Sequence, residues 1–157
     1  MEEKRVKDSC TEQVHLIMAS HLNAAGRLFG GMLLMWIDEV AGVVAKRHSG
    51  KINVTTAAID NLQFKAATYV GDMLVLIGHV TYTGRTSMEV RVDSYVERPD
   101  GMRYPVNRAY FVMVAMDEQN RPTPVPKLMI ETPEQQCEWE GALRRKELRM
   151  KRREEGF

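Results

Sequence analysis

The segment Asn23-Ala-Ala-Gly-Arg-Leu-Phe-Gly-Gly31 runs directly into the apolar segment Met32-Leu-Leu-Met-Trp-Ile-Asp-Glu-Val-Ala-Gly-Val-Val-Ala45. Three glycines make the first segment prone to turns, and no helix-breaking pair follows the second until Ser49-Gly50. This order predicts a loop that leads into a helix of about five turns. At roughly 100° per residue the helix is apolar on nearly every side, which predicts that other parts of the fold surround it.

Asp38 is the exception within the apolar segment. On a helix it shares one stripe with mostly small residues, namely Gly31, Leu34, Gly42 and Ala45. Small side chains allow another backbone to approach closely. The pattern therefore predicts that the Asp38 carboxylate faces a close contact and not open water.

The start of the predicted helix is a candidate binding site. Helix N-termini carry unpaired backbone N–H groups and the positive end of the helix dipole, and the absence of side chains at Gly30 and Gly31 lets a ligand approach them. A developing oxyanion would be stabilised there. The alternative is that the two glycines only allow the helix end to pack tightly.

The distance between these two features constrains any shared role. Gly30 and Asp38 are eight residues apart, which corresponds to about 12 Å along a helix. A carbonyl group held at Gly30 cannot also lie beside Asp38 of the same chain. If both act on one substrate, Asp38 must come from a second copy, so this hypothesis requires a dimer with the site at its interface.

The 157 residues have a formal net charge of +1 and are sufficient for one domain with a full core. No segment reaches the roughly 18 apolar residues of a membrane span, and the charged first residues lack the apolar region of a signal peptide. Cys10 and Cys137 are far apart and lack metal-ligand spacing. We therefore expect a cytoplasmic protein with free thiols, no metal and no membrane partner, whose residues 1–8 are flexible.

Four long strands are predicted after the helix, over residues 52–64, 73–82, 87–97 and 103–116, and one shorter strand precedes it over residues 9–18. Val14, Leu16 and Met18 alternate in the short strand. In residues 87–97 charged side chains alternate with apolar ones, which predicts that one face of that strand is exposed to water. One helix followed by a strand meander indicates an α+β fold with an antiparallel sheet wrapped around the helix, over residues 9–126.

Residues 127–157 are predicted to contain a C-terminal basic helix. Thr132 is a good N-cap, Pro133 suits the first helical position and Gln135 completes a capping box. Acidic residues come early in this helix and basic residues late, as the helix dipole favours. We interpret the basic end as solvated. The lack of interleaved aromatic residues and the near-neutral net charge argue against binding to nucleic acid.

The chain resembles the hotdog-fold acyl-CoA thioesterases, specifically the acyl-CoA hydrolase group with its broad-range bacterial and brain-type members. The resemblance extends over about residues 9 to 150. The matching residues are Asn23-x-x-Gly26-x-x-Phe29-Gly30-Gly31, Trp36–Gly42, Ala45-x-Arg47-His48, Val54-Thr55, Phe64, Gly71-Asp72, Gly84–Met88, Val114–Asp117 and Val125-Pro126.

The resemblance implies hydrolysis of a fatty acyl-CoA to the free acid and CoA, as part of fatty acid metabolism. It implies that Asp38 activates water or attacks the carbonyl, that Asn23 supports this step, and that the backbone N–H of Gly30 or Gly31 polarises the carbonyl. It also implies that the CoA moiety lies along Gly84, Arg85, Thr86 and Ser87, with Arg85 on a phosphate. No cofactor is implied because CoA belongs to the substrate, and the implied assembly is a trimer of dimers.

Two other functions of the same fold were considered. A non-catalytic acyl-CoA sensor would carry a DNA-binding helix-turn-helix before the domain, whereas about eight residues precede the first predicted strand. A dehydratase acting on hydroxyacyl thioesters usually pairs a histidine with an acidic residue. No histidine accompanies Asp38 on the predicted helix near that position. Both features favour the hydrolase.

Overall fold

The computed structural model describes residues 2–157. Within them, the helices and strands in chain order are β1 Glu3–Arg5, β2 Thr11–Leu16, α1 Gly30–Ser49, β3 Asn53–Phe64, β4 Met73–Thr83, β5 Ser87–Glu97, β6 Arg103–Met116, β7 Lys127–Met129 and α2 Pro133–Glu155. Short 3₁₀ turns at Val6–Asp8 and Ala19–His21 flank β2. The predicted elements are all present, with boundaries that differ by a few residues.

The five long strands form one antiparallel sheet in the order β2-β4-β5-β6-β3, and α1 packs across one face of it. Gly78 of β4 allows this close packing: a methyl group there would lie 2.6 Å from Val40 Cγ1 and 3.0 Å from Val44 Cγ2 of α1. The core therefore lies between α1 and the inner sheet face, as the α+β prediction required.

Helix α1 matches its prediction in length, with 20 residues, and ends at Gly50 in the left-handed conformation with φ of 68°. One side of it is buried against the sheet. The opposite side, with Gly31, Met35, Asp38 and Glu39, is exposed in the single chain. The expected enclosure of this helix on all sides is thus incomplete, and the Asp38 carboxylate is not covered by its own chain.

Strand β2 is present, but its apolar side chains point away from the core. Val14 and Leu16 are 57% and 56% exposed. The side chain that faces α1 is that of His15, whose ring stacks on Trp36 with a centroid distance of 4.1 Å. The alternation of apolar residues predicted the strand correctly. The face of the strand that packs inward, however, carries His15, whose ring lies flat on Trp36.

Helix α2 lies on the outer face of the sheet, and this corrects two expectations. Glu89 and Asp93 of β5 are only 4% and 7% exposed, so the face expected to be wet is covered. The basic residues of α2 are not all solvated, since Arg145 donates hydrogen bonds to both oxygens of Glu89 at 2.7 and 3.0 Å. Buried carboxylates require such partners, and α2 supplies them.

Residues 3–5 are paired, although residues 1–8 were expected to be flexible; residue 1 lies outside the described residues. Strand β1 runs parallel to β7, with Glu3 opposite Lys127 and Arg5 opposite Met129. Arg5 also forms an ion pair with Asp8 at 3.2 Å. Among the helices that the structure describes, none is long and apolar enough to span a membrane.

Strand β3 is at an edge of the sheet and pairs irregularly with β6. Its register shifts between Thr56 and Ala58 and again between Asp60 and Gln63, and Asn61 adopts a positive φ of 61°. These are β-bulges, where an extra residue breaks the alternation of side chains. The sequence predicted the irregularity at Asp60 and Asn61 but not the one at Thr56.

Candidate functional site

Asn23 is held in a tight turn before α1. Its side-chain oxygen accepts hydrogen bonds from the backbone N–H groups of Ala25 at 2.9 Å and Arg27 at 3.2 Å. Because two donors fix the position of the oxygen, the amide nitrogen points away from the turn. Within residues 2–157 no hydrogen bond uses this nitrogen, so it can donate to a ligand.

The N-terminus of α1 lies beside Asn23. Within the described part of the chain, no hydrogen-bond acceptor pairs with the N–H groups of Gly30 and Gly31. A methyl group at Gly31 would lie 2.5 Å from a ring carbon of Phe29, so this exposed ring would have to move to admit a side chain there. Asn23 and Gly30 together line a cavity of about 440 Å³ whose walls include Leu28, Leu33, Phe64 and Thr68. This is the arrangement expected of a site that polarises a carbonyl group.

Asp38 is two helical turns farther along α1 and does not line that cavity. Its Oδ1 atom accepts a hydrogen bond of 2.6 Å from the Thr56 hydroxyl of β3. Thr56 was not predictable from the sequence, because this contact depends on how β3 crosses α1. An exposed carboxylate with one strong donor is oriented and still open to a water molecule or a carbonyl carbon.

The turn Gly84–Ser87 joins β4 to β5 near the Asp38–Thr56 pair. Ser87 and Thr55 both pair with Val114 of β6, which places them in one row of the sheet. The backbone of Gly84 donates to the Ser87 carbonyl at 2.9 Å and closes the turn. Arg85 is exposed, and within residues 2–157 its guanidinium forms no ion pair. It can therefore contact an external anion.

The predicted site residues thus form two groups, one at the start of α1 and one about two turns farther along it. Asn23, Gly30 and Gly31 form the first group, whereas Asp38 and the turn Gly84–Ser87 belong to the second. A single chain does not bring the groups together, as the eight-residue spacing of Gly30 and Asp38 predicted.

Two histidines near the first group pack against Trp36. The ring of His21 meets Trp36 edge-on at 5.0 Å, and its Nδ1 atom accepts from the Met18 N–H at 3.0 Å. His15 stacks on Trp36, and burial lowers the pKa of His15. In the part of the chain that the structure describes, no three His, Cys, Asp or Glu side chains are grouped to hold a metal ion.

Comparison with known proteins gives consistent matches. The family model of the thioesterase superfamily matches residues 25–101. The cytosolic acyl coenzyme A thioester hydrolase of Rattus norvegicus is 33% identical over 159 aligned residues, which cover 99% of this chain and 41% of the rat protein. The chain therefore spans less than half the length of that relative.

Solved structures agree over nearly the entire chain. An apo-hexameric acyl-CoA thioesterase is 40% identical with a TM-score of 0.92, and the match covers 97% of each chain. An acyl-CoA hydrolase of Staphylococcus aureus, solved with butyryl coenzyme A and coenzyme A, is 29% identical with a TM-score of 0.91; the match covers 98% of this chain and 93% of that one. Further structures of the Staphylococcus enzyme carry alanine in place of one asparagine, one aspartate or one threonine. With this fold and these relatives, the chain belongs to the hotdog-fold acyl-CoA thioesterase family.

Proposed function

We propose that this protein hydrolyses fatty acyl-CoA thioesters to the free acid and CoA at sites shared between two copies of the chain. The observation that carries the proposal is the separation of two complementary groups on one helix. Asn23 and the free N–H groups of Gly30 and Gly31 offer donors without a base. Asp38, oriented by Thr56, offers a base without those donors.

An antiparallel second copy supplies the missing half of each site. If two α1 helices lie side by side in opposite directions, the Asp38 carboxylate of one copy comes beside the Asn23 and Gly30 groups of the other. The side of α1 that bears Asp38 is exposed in the single chain and is flanked by small residues such as Gly42. These features suit close approach of a second helix.

The chemistry follows from the two halves. The thioester carbonyl oxygen accepts hydrogen bonds from a Gly30 or Gly31 N–H and from the Asn23 amide, which stabilise the negative charge that develops on it. Asp38 removes a proton from water as the water oxygen bonds to the carbonyl carbon, or it attacks that carbon itself and forms an acyl–aspartyl anhydride that water then hydrolyses to the free acid. The C–S bond then breaks, and CoA leaves as a thiol after it takes up a proton. A thioester is already activated, so these groups are sufficient.

The CoA moiety is assigned to the turn Gly84–Ser87, where the exposed Arg85 guanidinium is available for a phosphate. The Staphylococcus relatives support the assignment of the reactive residues. The asparagine and aspartate replaced there are 15 residues apart, as Asn23 and Asp38 are here. The third replaced residue in that enzyme is a threonine 17 residues after the aspartate. Here Thr55 and Thr56 lie 17 and 18 residues after Asp38, and Thr56 is the one whose hydroxyl contacts it.

Thiol release from acyl-CoA substrates of increasing chain length tests the proposal. We expect hydrolysis by the wild type, a loss of about 10²–10⁴-fold in kcat for Asp38→Ala, and a loss of about 10²–10³-fold for Asn23→Ala. Glu39→Ala is the matched control, since Glu39 is the adjacent exposed acid on α1. Full activity of Asp38→Ala would contradict the proposal, and tight acyl-CoA binding without hydrolysis would favour the sensor alternative.

A further inference from the structure

Thr56 and Asp60 of β3 face opposite sides of the sheet although they are four residues apart. Thr56 is paired with the core residue Met113 and points toward α1, where it meets Asp38. Asp60 is paired with Tyr110 and points toward α2 on the outer face. In a regular strand residues four apart share a face. The register shift between Thr56 and Ala58 accounts for the difference.

On the outer face, two arginines of α2 hold Asp60. Its side chain is 5% exposed, Arg149 Nη1 donates to Oδ2 at 2.5 Å, and Arg152 Nη2 donates to Oδ1 at 3.1 Å. We call these three residues the arginine clamp. Both carboxylate oxygens are used, so the clamp fixes the position and rotation of the Asp60 side chain.

The clamp acts on an irregular part of an edge strand. Within one chain β3 has only β6 as a neighbour, and the stretch Ala58–Asp60 lies between two register shifts. Three residue pairs with β6 therefore hold this stretch between its two bulges. Within residues 2–157, every side-chain hydrogen bond from α2 to β3 ends on Asp60.

From this placement we infer that the arginine clamp is a positioning device for catalysis, which holds the bulge of β3 so that Thr56 stays on Asp38. The inference rests on the proposed function, because it concerns the orientation of the proposed base. Asp60 and both arginines lie on the face of the sheet opposite to α1 and do not touch the substrate site. They act through the backbone between Ala58 and Thr56.

A purely structural role for the clamp would be to attach α2 to the sheet. Other contacts already do this, since Arg145 binds Glu89, Glu138 binds Arg91, and Trp139 packs on Tyr82 with a ring distance of 4.5 Å. These contacts end on β4 and β5. The clamp differs from them in reaching the bulged edge strand.

The kinetic test compares arginine substitutions on one helix. We expect the double variant Arg149→Leu/Arg152→Leu to lower kcat by about 10- to 100-fold with little change in KM, because misplacement of a catalytic group mainly affects the chemical step. Arg149→Lys in the otherwise wild-type chain should retain most activity. Arg145→Leu is the matched control, since it removes a similarly buried arginine–carboxylate pair on β5 and a stacking contact on Tyr110 of β6 but, within residues 2–157, no hydrogen bond to β3. Its kcat should stay near that of the wild type.

A double-mutant cycle separates positioning from general destabilisation. If the clamp acts through Thr56, removal of the clamp should lower kcat much less in the Thr56→Val variant than in the wild type. Additive losses in kcat would overturn the inference, as would equal losses in the Arg145→Leu control.

Hydrogen exchange provides a readout that does not depend on activity. In the double variant, backbone amides of residues 53–60 should exchange at least about tenfold faster than in the wild type while those of β5 stay protected. Unchanged exchange in β3 would overturn the inference. Faster exchange in β3, together with a wild type that hydrolyses no acyl-CoA, would instead refute the proposed function and leave the coupling between clamp and strand intact.

Discussion

At the scale of single residues, the contact between Thr56 and Asp38 is the one that the sequence could not reveal. Asp38 was recognisable because it interrupts an apolar helix, whereas the role of Asn23 was implied only by the resemblance to the thioesterase family. Thr56 is one of two adjacent threonines in a strand, and only the crossing of β3 over α1 selects it. A residue that acts through a tertiary contact leaves no local signal in the chain.

Thr56→Val tests this contact directly. Misplacement of a catalytic group by about 1 Å can cost on the order of 100-fold in rate, so we expect kcat to fall by about 10- to 100-fold. The free energy of unfolding should change little because Thr56 and Asp38 are both exposed, and water can replace the lost hydrogen bond. Thr56→Ser keeps the hydroxyl and should keep most activity. Thr55→Val, which alters the neighbouring threonine, is measured in the same thiol-release assay, and a larger loss there would assign the role to Thr55. Full activity of the Thr56→Val enzyme would contradict the assignment.

Buried histidines give the protein a pH-dependent stability. Burial lowers the pKa of His48, whose Nε2–H donates to the Pro126 carbonyl at 2.9 Å, and burial also lowers the pKa of His79. Histidine in the unfolded chain has a pKa of about 6.5. Below that pH the unfolded chain binds protons that the folded chain does not bind. The free energy of unfolding therefore decreases as the pH falls through this value.

Denaturant unfolding between pH 8 and pH 5 measures this effect. The wild type should lose about 1.4 kcal/mol for each unit by which burial lowers a histidine pKa, and His48→Gln should lose less over the same interval. Protein concentration must be constant because association also affects stability. If the free energy of unfolding depends on pH equally in the wild type and in His48→Gln, His48 does not contribute to the pH dependence.

At the scale of the elements, local patterns predicted both long helices but not what they contact. The N-cap of α2 was recognisable: the Thr132 hydroxyl accepts from the Gln135 N–H at 3.2 Å, although the Gln135 side chain reaches the N–H of Glu131 and not that of Thr132. The covering of the outer sheet face by α2 was not predictable. Alternating charged residues on β5 resemble a solvated face until the arginines of α2 are placed on them.

The close packing of α1 on β4 makes Gly78 sensitive to substitution. Gly78→Ala places a methyl group 2.6 Å from Val40 Cγ1, and such overpacking typically costs about 1–3 kcal/mol. We expect a decrease in the midpoint of thermal unfolding of about 2–4 °C for each kcal/mol. Adding Val40→Ala, which removes the clashing methyl group, should make the Gly78→Ala substitution less costly. If Gly78→Ala and Val40→Ala lower the free energy of unfolding additively, the contact between positions 78 and 40 does not limit the packing.

At the scale of the whole molecule, the proposed site exists only in an assembly. Mixing subunits tests this without knowledge of the interface. Asn23→Ala and Asp38→Ala chains are each expected to be inactive alone. After joint refolding, half of the dimers are mixed and each holds one intact site, so roughly a quarter of the wild-type activity should return. If no activity returns, the Asn23 and Asp38 that share a site belong to the same chain.

We also propose that the dimers assemble into a hexamer, as in the hexameric thioesterase to which the chain is similar. The outward-facing Val14 and Leu16 of β2 form an apolar surface that a further copy can cover. Light scattering at several concentrations should give six times the 17.9 kDa mass of the chain. A mass of two chains would limit the assembly to the dimer.

The pairing of β1 with β7 has a consequence for the order of folding. Residues 3–5 pair with residues 127–129, and we call this two-stranded sheet the ribbon. The ribbon closes a loop of almost the entire chain, but it pairs only three residues on each strand. Closure of so long a loop is entropically costly and is repaid only after the intervening sheet has formed. The ribbon is therefore the last part to assemble and the first to open, and limited proteolysis of the native protein should begin by trimming the amino end.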